Sequence, residues 1–183
     1  TLVAETDYTV TYTNNTVIGT AKVTVTGKGN YEGAVGPVEF TIKSVDKYVE
    51  DVIVADEEPK VEMNESVAEQ KIPAEVFEKL ADEKKTLVID LVDDEGATLY
   101  SWTFDGDEYD AEKQIDFKAS IVAVAEPEED LTNAIESAEL EDSLVLNFAA
   151  SGDFPMKTTV KYKVGDKFEN GKKLALYFFG EDK

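Results

Sequence analysis

The 183-residue chain carries 40 acidic side chains against 18 basic ones, all of them lysine, for a formal charge of −22, and it contains neither cysteine nor histidine. Thiol and imidazole nucleophiles and bases, thiolate or imidazole zinc sites and a disulfide framework are therefore excluded. Without an arginine fork, and with a charge that repels polyanions, nucleic acid and anionic membrane surfaces are poor partners. The longest apolar runs, such as Ile121 to Ala125 and Leu174 to Phe179, are five or six residues, whereas a membrane-spanning helix needs about 20. The length allows one large domain or two small ones.

Residues 1–43 carry a net charge of only −1, so the remaining 140 residues carry −21. The first stretch is rich in Thr, Val and Tyr, and three rows alternate with period 2: Tyr8/Val10/Tyr12, Ala21/Val23/Val25 and Val38/Phe40/Ile42. Alternation in β-branched and aromatic residues predicts three half-buried strands. Thr13-Asn14-Asn15-Thr16 reads as a hairpin turn and Gly27 to Gly33 as a longer loop, because Asn and Gly tolerate the positive φ that such turns need. The wording and order of Asp7 to Tyr12, Gly19-Thr20-Ala21, Val23 to Tyr31 and Phe40-Thr41-Ile42 resemble the small bacterial immunoglobulin-like repeat of Firmicutes cell-surface proteins. That resemblance implies a non-catalytic module at 1–43, and such repeats begin with further strand-forming residues, so the module is expected to be cut at its N-terminal edge. The start at Thr1 rather than Met fits a processed or excised piece.

Residues 44–59 read either as a solvated linker or as the first strand of a second domain, since Val52/Val54 keep period 2, as Val61/Met63 do just beyond. The second domain is expected over 60–183. Pro73 near a first helical position, an acidic first turn and an apolar stripe at Val76, Phe77, Leu80 and Ala81 predict a helix near 73–84. Strands are predicted around Leu87/Ile89/Leu91, Tyr100/Trp102/Phe104, Ile115/Phe117/Ala119/Ile121, Leu144/Leu146/Phe148, Val160/Tyr162/Val164 and Leu174/Leu176/Phe178. Residues 126–142 read as a short helix through Leu131, Ile135 and Ala138 or as an acidic loop. The expected class is all-β and mainly antiparallel: an Ig-like β-sandwich module followed by a second β-sandwich domain with one short packed helix. Ile72 to Glu78, Tyr100 to Gly106, Ser151 to Pro155 and Gly171 to Phe178 are similar to a β-rich module placed near the C-terminus of extracellular proteins of gut clostridia and ruminococci. Those relatives continue into another hairpin, so Leu174 to Phe179 is expected either to pair on both sides within the fold or to find a neighbour in another copy.

Candidate sites are few. Asp105, Asp107 and Asp110 crowd one turn and read as a hairpin tip or as a clasp for Ca²⁺, although the glycine and glutamate of an EF-hand loop are missing from the required positions. Trp102, the only tryptophan, shares a strand face with Tyr100, and Tyr177 and Phe179 form a second aromatic group. Such rings stack on sugars when exposed and fill a core when not. Asn147 within an apolar strand raises the question of a Lys–Asn isopeptide crosslink. The expectation is a non-enzymatic spacer and display protein, extracellular or on the bacterial surface, with neighbouring modules of the same polypeptide as partners, glycans or host or cell-wall components as further candidates, and no cofactor beyond the Ca²⁺ candidate. The alternative is a carbohydrate-binding module.

Overall fold

A computed structural model describes residues 1–113, 115–124, 126–137, 143–164 and 168. The protein is β-rich, 44% strand and 21% helix, with mainly antiparallel sheets. It divides into two compact units, 1–48 and 49–183. The division falls inside a helix, α1 (Val45–Ala55).

The expectation of a linker or strand over 44–59 is thereby corrected. Val45, Val49 and Ile53, spaced four apart, are 8%, 0% and 0% exposed, whereas Val54, which suggested period 2, is 55% exposed. The helical period wins because burying Ile53 together with Val49 requires it.

Unit 1 contains β1 (Tyr8–Thr13), β2 (Gly19–Gly27) and β3 (Ala34–Ile42), an antiparallel sheet in chain order. The register pairs Tyr12 with Val23 and Val23 with Val38, and likewise Val10 with Val25 and Ala21 with Phe40. Directly paired residues share a face, so the three alternating rows of the sequence form one apolar surface. The opposite face carries Thr9, Thr11, Thr24, Thr26, Lys22 and Glu39, the last two joined at 3.1 Å. An irregularity in β3 opposite Val23 to Val25 holds Gly36 at a φ of +112°, where a Cβ would lie 2.7 Å from the Val23 carbonyl oxygen, so only glycine fits. Tyr12 and Phe40 meet edge to face at 6.4 Å, and Ala21, on the strand between theirs, is fully buried.

Unit 2 continues with β4 (Lys60–Met63), α2 (Glu65–Ala68), β5 (Lys71–Ile72), α3 (Ala74–Asp82), β6 (Thr86–Val92), β7 (Thr98–Asp105), β8 (Ile115–Val124), α4 (Glu129–Ser137), β9 (Val145–Gly152) and β10 (Lys157–Tyr162). One sheet has the order β10-β7-β6-β4, and the other β5-β8-β9. β4 runs parallel to β6, a departure from purely antiparallel pairing that the intervening α2 and α3 allow. The helix over 73–84 is α3, and the ambiguous acidic segment contains α4; Ala138 lies outside the described residues, as does the strand expected at 174–178.

Three cross-strand rows build the inner face of the four-stranded sheet: Leu87/Phe104/Thr158, Ile89/Trp102/Val160 and Leu91/Tyr100/Tyr162. Across from them Phe117 of β8 lies 5.1 Å from Trp102 and 5.2 Å from Phe104, ring centre to ring centre. Phe77 of α3 closes the cluster at 5.1 Å from Phe104, with its ring fully buried, as the apolar stripe of that helix predicts. Burial of these large side chains, at about 25 cal/mol per Å² of apolar surface, is the main stabilising term of the unit.

Candidate functional site

The site begins with a break in a ladder. Phe117 of β8 pairs with Ala150 of β9, but the next pair is Ile121 with Phe148, so residues 118–120 bulge out of register. A bulge frees backbone groups that must find other partners when buried. Two side chains of β7 supply them: Trp102 Nε1 donates to the Ala119 carbonyl at 2.8 Å, and the Ile121 N–H donates to the Tyr100 hydroxyl at 2.8 Å. Because Trp102 and Tyr100 are two residues apart on the same strand face, they tie one sheet to the other on both sides of Ser120.

These contacts correct the expectation of an aromatic platform at Trp102 and Tyr100. Trp102 is 1% exposed, enclosed by Phe104, Phe117, Phe148 and Phe154, and has no open ring face for a sugar. Tyr100 is 4% exposed. Tyr177 and Phe179 lie outside the described residues.

Of the carboxylates proposed for Ca²⁺, those of Asp105 and Asp110 bond the local backbone. Asp105 Oδ1 accepts the N–H of Asp107, Asp110 Oδ1 accepts the N–H of Glu112, and the Asp110 backbone N–H bonds the Pro155 carbonyl. Among the described residues no group of three or more acidic side chains is placed to hold a metal ion. Such short side-chain-to-backbone bonds are the ordinary use of Asp in turns. Asn147 is exposed on β9, paired with Val122.

A buried charge lies on the outer face of the four-stranded sheet. Asp90 is 6% exposed, accepts the Ser101 hydroxyl at 2.5 Å and pairs with Lys60 at 2.9 Å. Burial by itself raises its carboxyl pKa, but the Ser101 hydroxyl and the Lys60 ammonium overrule that and hold it below the ordinary value. Asp90 in turn raises the pKa of Lys60. Ser101, Asp90 and Lys60 thus form a chain of three polar side chains across β7, β6 and β4.

Where the Leu91/Tyr100/Tyr162 row ends the sheet, an open cleft of about 620 Å³ is lined by that row, by Leu99, by residues 120–123 of β8, by Glu65, Ser66 and Glu69 and by Lys163. Tyr162 stacks on Tyr100 at 5.7 Å with ring planes 16° apart, as their cross-strand pairing dictates. Burial pushes the Tyr100 phenol up to about 12, with Tyr162, Glu65 and Glu69 adding to the rise and the Ile121 N–H opposing it. Glu69 meets Lys118 at 3.8 Å. Ser120 also lines the cleft: it is 5% exposed, and its Oγ has no hydrogen-bond partner among the described residues.

Sequence reasoning missed this cleft. Ser120 sits at a position whose parity on β8 reads as solvent-facing, and only the bulge buries it. Glu65 opens a four-residue helix that carries no periodic signal, and Glu69 is the residue that follows it. Compared with known proteins, the chain matches no family model, no curated protein and no solved structure.

Proposed function

We propose that this chain is a non-catalytic part of a secreted or wall-attached bacterial surface protein, with unit 1 as an immunoglobulin-like spacer and unit 2 as an acidic β-sandwich display module. One observation carries this reading: unit 1 is a single sheet layer whose apolar face, buried at Ala21, is open at several large side chains. Tyr12, Val35, Val38 and Phe40 are 56%, 71%, 54% and 38% exposed, all on the same side of the sheet. A β-sandwich is made by covering such a face with a second sheet about 10 Å away. An apolar face of this kind marks an interaction surface. The partner that fits a spacer is a neighbouring module of the same polypeptide, and the near-neutral charge of unit 1 lets two modules approach without the repulsion that unit 2 would impose.

The opposite, threonine-rich face stays in water and needs no cover. Trp102, Phe104 and Phe117 stabilise the core of unit 2, and Asp105 and Asp110 hold turns. These are the roles of a stable scaffold.

Nile red, a neutral dye that the charge of −22 does not repel, tests the open face. The chain is expected to bind it, and Val38→Thr combined with Phe40→Thr to abolish binding while leaving the unfolding of unit 2 unchanged. A wild-type chain that binds no dye would remove the basis of the reading.

A further inference from the structure

We propose that β1 is a self-association edge: two copies of this chain pair their β1 strands antiparallel about a two-fold axis at Thr11 and join their three-stranded sheets into one. This goes beyond the spacer reading of unit 1, which concerns the apolar face of the sheet and not its edge.

The phase of the ladder decides which groups of β1 are free. The Asp7 carbonyl accepts the Lys28 N–H at 2.8 Å, and the antiparallel register continues with Tyr8 opposite Gly27 and Thr9 opposite Thr26. Hydrogen-bonded and non-hydrogen-bonded pairs alternate in such a ladder, so the backbone groups of Thr9, Thr11 and Thr13 point at β2 and those of Tyr8, Val10 and Tyr12 point away from it. The Tyr8 carbonyl accepts the Glu5 N–H at 2.8 Å. The N–H and C=O groups of Val10 and Tyr12 face no strand among the described residues, because β1 is the outer strand of its sheet. A row of free donors and acceptors is a template for another strand.

The other outer strands carry features that discourage such pairing. β3 holds Pro37, which has no N–H, beside the irregularity at Gly36. β4 carries Lys60 and Glu62, β10 carries the exposed Lys157 and Lys161, and β9 belongs to a ladder that the bulge of β8 breaks. β1 has no charged residue and no proline, and its pairing with β2 is unbroken.

The occupant that fits this edge is β1 of a second copy. With Thr11 opposite Thr11 of the second copy, Val10 falls opposite Tyr12 and Tyr12 opposite Val10, so every free N–H and C=O of the two edges finds a partner. Thr–Thr and aromatic–β-branched pairs are among those that stabilise antiparallel strands, and directly paired residues share a face, so the two apolar surfaces become continuous. A charged strand would gain no ion pair from β1. Residues 1–43 carry only −1, so two such edges approach without the repulsion that the −21 of the remaining residues imposes.

The test is sedimentation velocity of the full chain. Between about 10 μM and 1 mM the chain is expected to show a monomer–dimer equilibrium, tighter in ~0.2 M salt than in dilute buffer because salt screens the −22 on each copy. Thr11 is exposed, so charges there burden no core; Thr11→Lys and Thr11→Glu each set like charges face to face across the axis and are expected to weaken the dimer at least tenfold with the far-UV circular dichroism unchanged. An equimolar mixture of the two variants sets opposite charges at the same place and is expected to restore association. Val38→Thr combined with Phe40→Thr, away from this edge, is expected to leave the dimer intact whether or not the spacer reading holds. The proposal is overturned if the chain stays monomeric throughout the series, if either Thr11 variant associates as tightly as the wild type, if the mixture fails to restore association, or if only the Val38 and Phe40 variant dissociates, which would assign the contact to the apolar face.

Discussion

Replacing Tyr100 with Phe removes one oxygen and keeps the ring, so it isolates the tie between β7 and the β8 bulge. The Ile121 N–H now bonds that oxygen at 2.8 Å, and the bulge has taken residues 118–120 out of register with β9. With Tyr100 4% and Ile121 6% exposed, the orphaned N–H costs about 1–3 kcal/mol. For a unit of this size that corresponds to a drop in Tm of roughly 3–12 °C. Trp102→Phe strands the Ala119 carbonyl in the same way and also leaves a void beside Phe117, for a total of about 2–4 kcal/mol. The two bonds flank a single residue, so the double variant should deviate from additivity by more than about 0.5 kcal/mol. Urea unfolding followed by far-UV circular dichroism, with m held common to the variants, measures all three. A Tyr100→Phe protein within about 0.5 kcal/mol of wild type would refute the idea that this side chain satisfies the bulge.

Gly106 donates its N–H to the Lys85 carbonyl at 3.0 Å, and a Cβ there would lie 2.7 Å from the carbonyl oxygens of both Leu80 and Lys85; Gly106→Ala should therefore cost about 2–4 kcal/mol in chemical denaturation. The pKa of Asp90 is lower in the folded than in the unfolded chain, so its contribution is fully present above the unfolded value and is lost as the pH falls through the folded one. The stability gap between wild type and Asp90→Asn should be constant near neutrality and narrow below about pH 4, and a gap that widens on acidification would contradict the assigned Ser101 and Lys60 contacts. Unit 2, with about −21 of the net charge, should melt higher in ~0.2 M salt than in dilute buffer, while the transition of unit 1 barely moves. Equal shifts measured by calorimetry would show that self-repulsion does not govern the difference.

Much of the strand content was legible because period 2 is a local property. Leu87/Ile89/Leu91 and Tyr100/Trp102/Phe104 each read as a strand, and the register makes the two neighbours. The three rows of unit 1 were equally clear, but their merging into one apolar face depends on pairing, which no single row contains. α1 was obscured by Val52 and Val54, which imitate a strand while Val45, Val49 and Ile53 determine the structure. The parallel β4–β6 pair could not be read because either direction suits a buried Val61 and Met63.

The site was less legible than the fold. Trp102 is conspicuous in the sequence as the only tryptophan, yet its indole N–H completes a hydrogen bond inside the core. The Asp105 to Asp110 turn is conspicuous by its charge, and the carboxylates of Asp105 and Asp110 accept backbone N–H groups. Ser120 carried no signal, because its burial follows from a two-residue mismatch between β8 and β9. Such features arise from long-range pairing, which local patterns do not encode.

The central claim is that these units are displayed outside the cell as part of a longer surface polypeptide, and brief protease treatment of intact source cells tests it most directly. Mass spectrometry of the released material should find peptides from both 1–48 and 49–183 while cytoplasmic markers stay inside. Recovery of the protein only after lysis, untouched by protease on intact cells, would contradict the account.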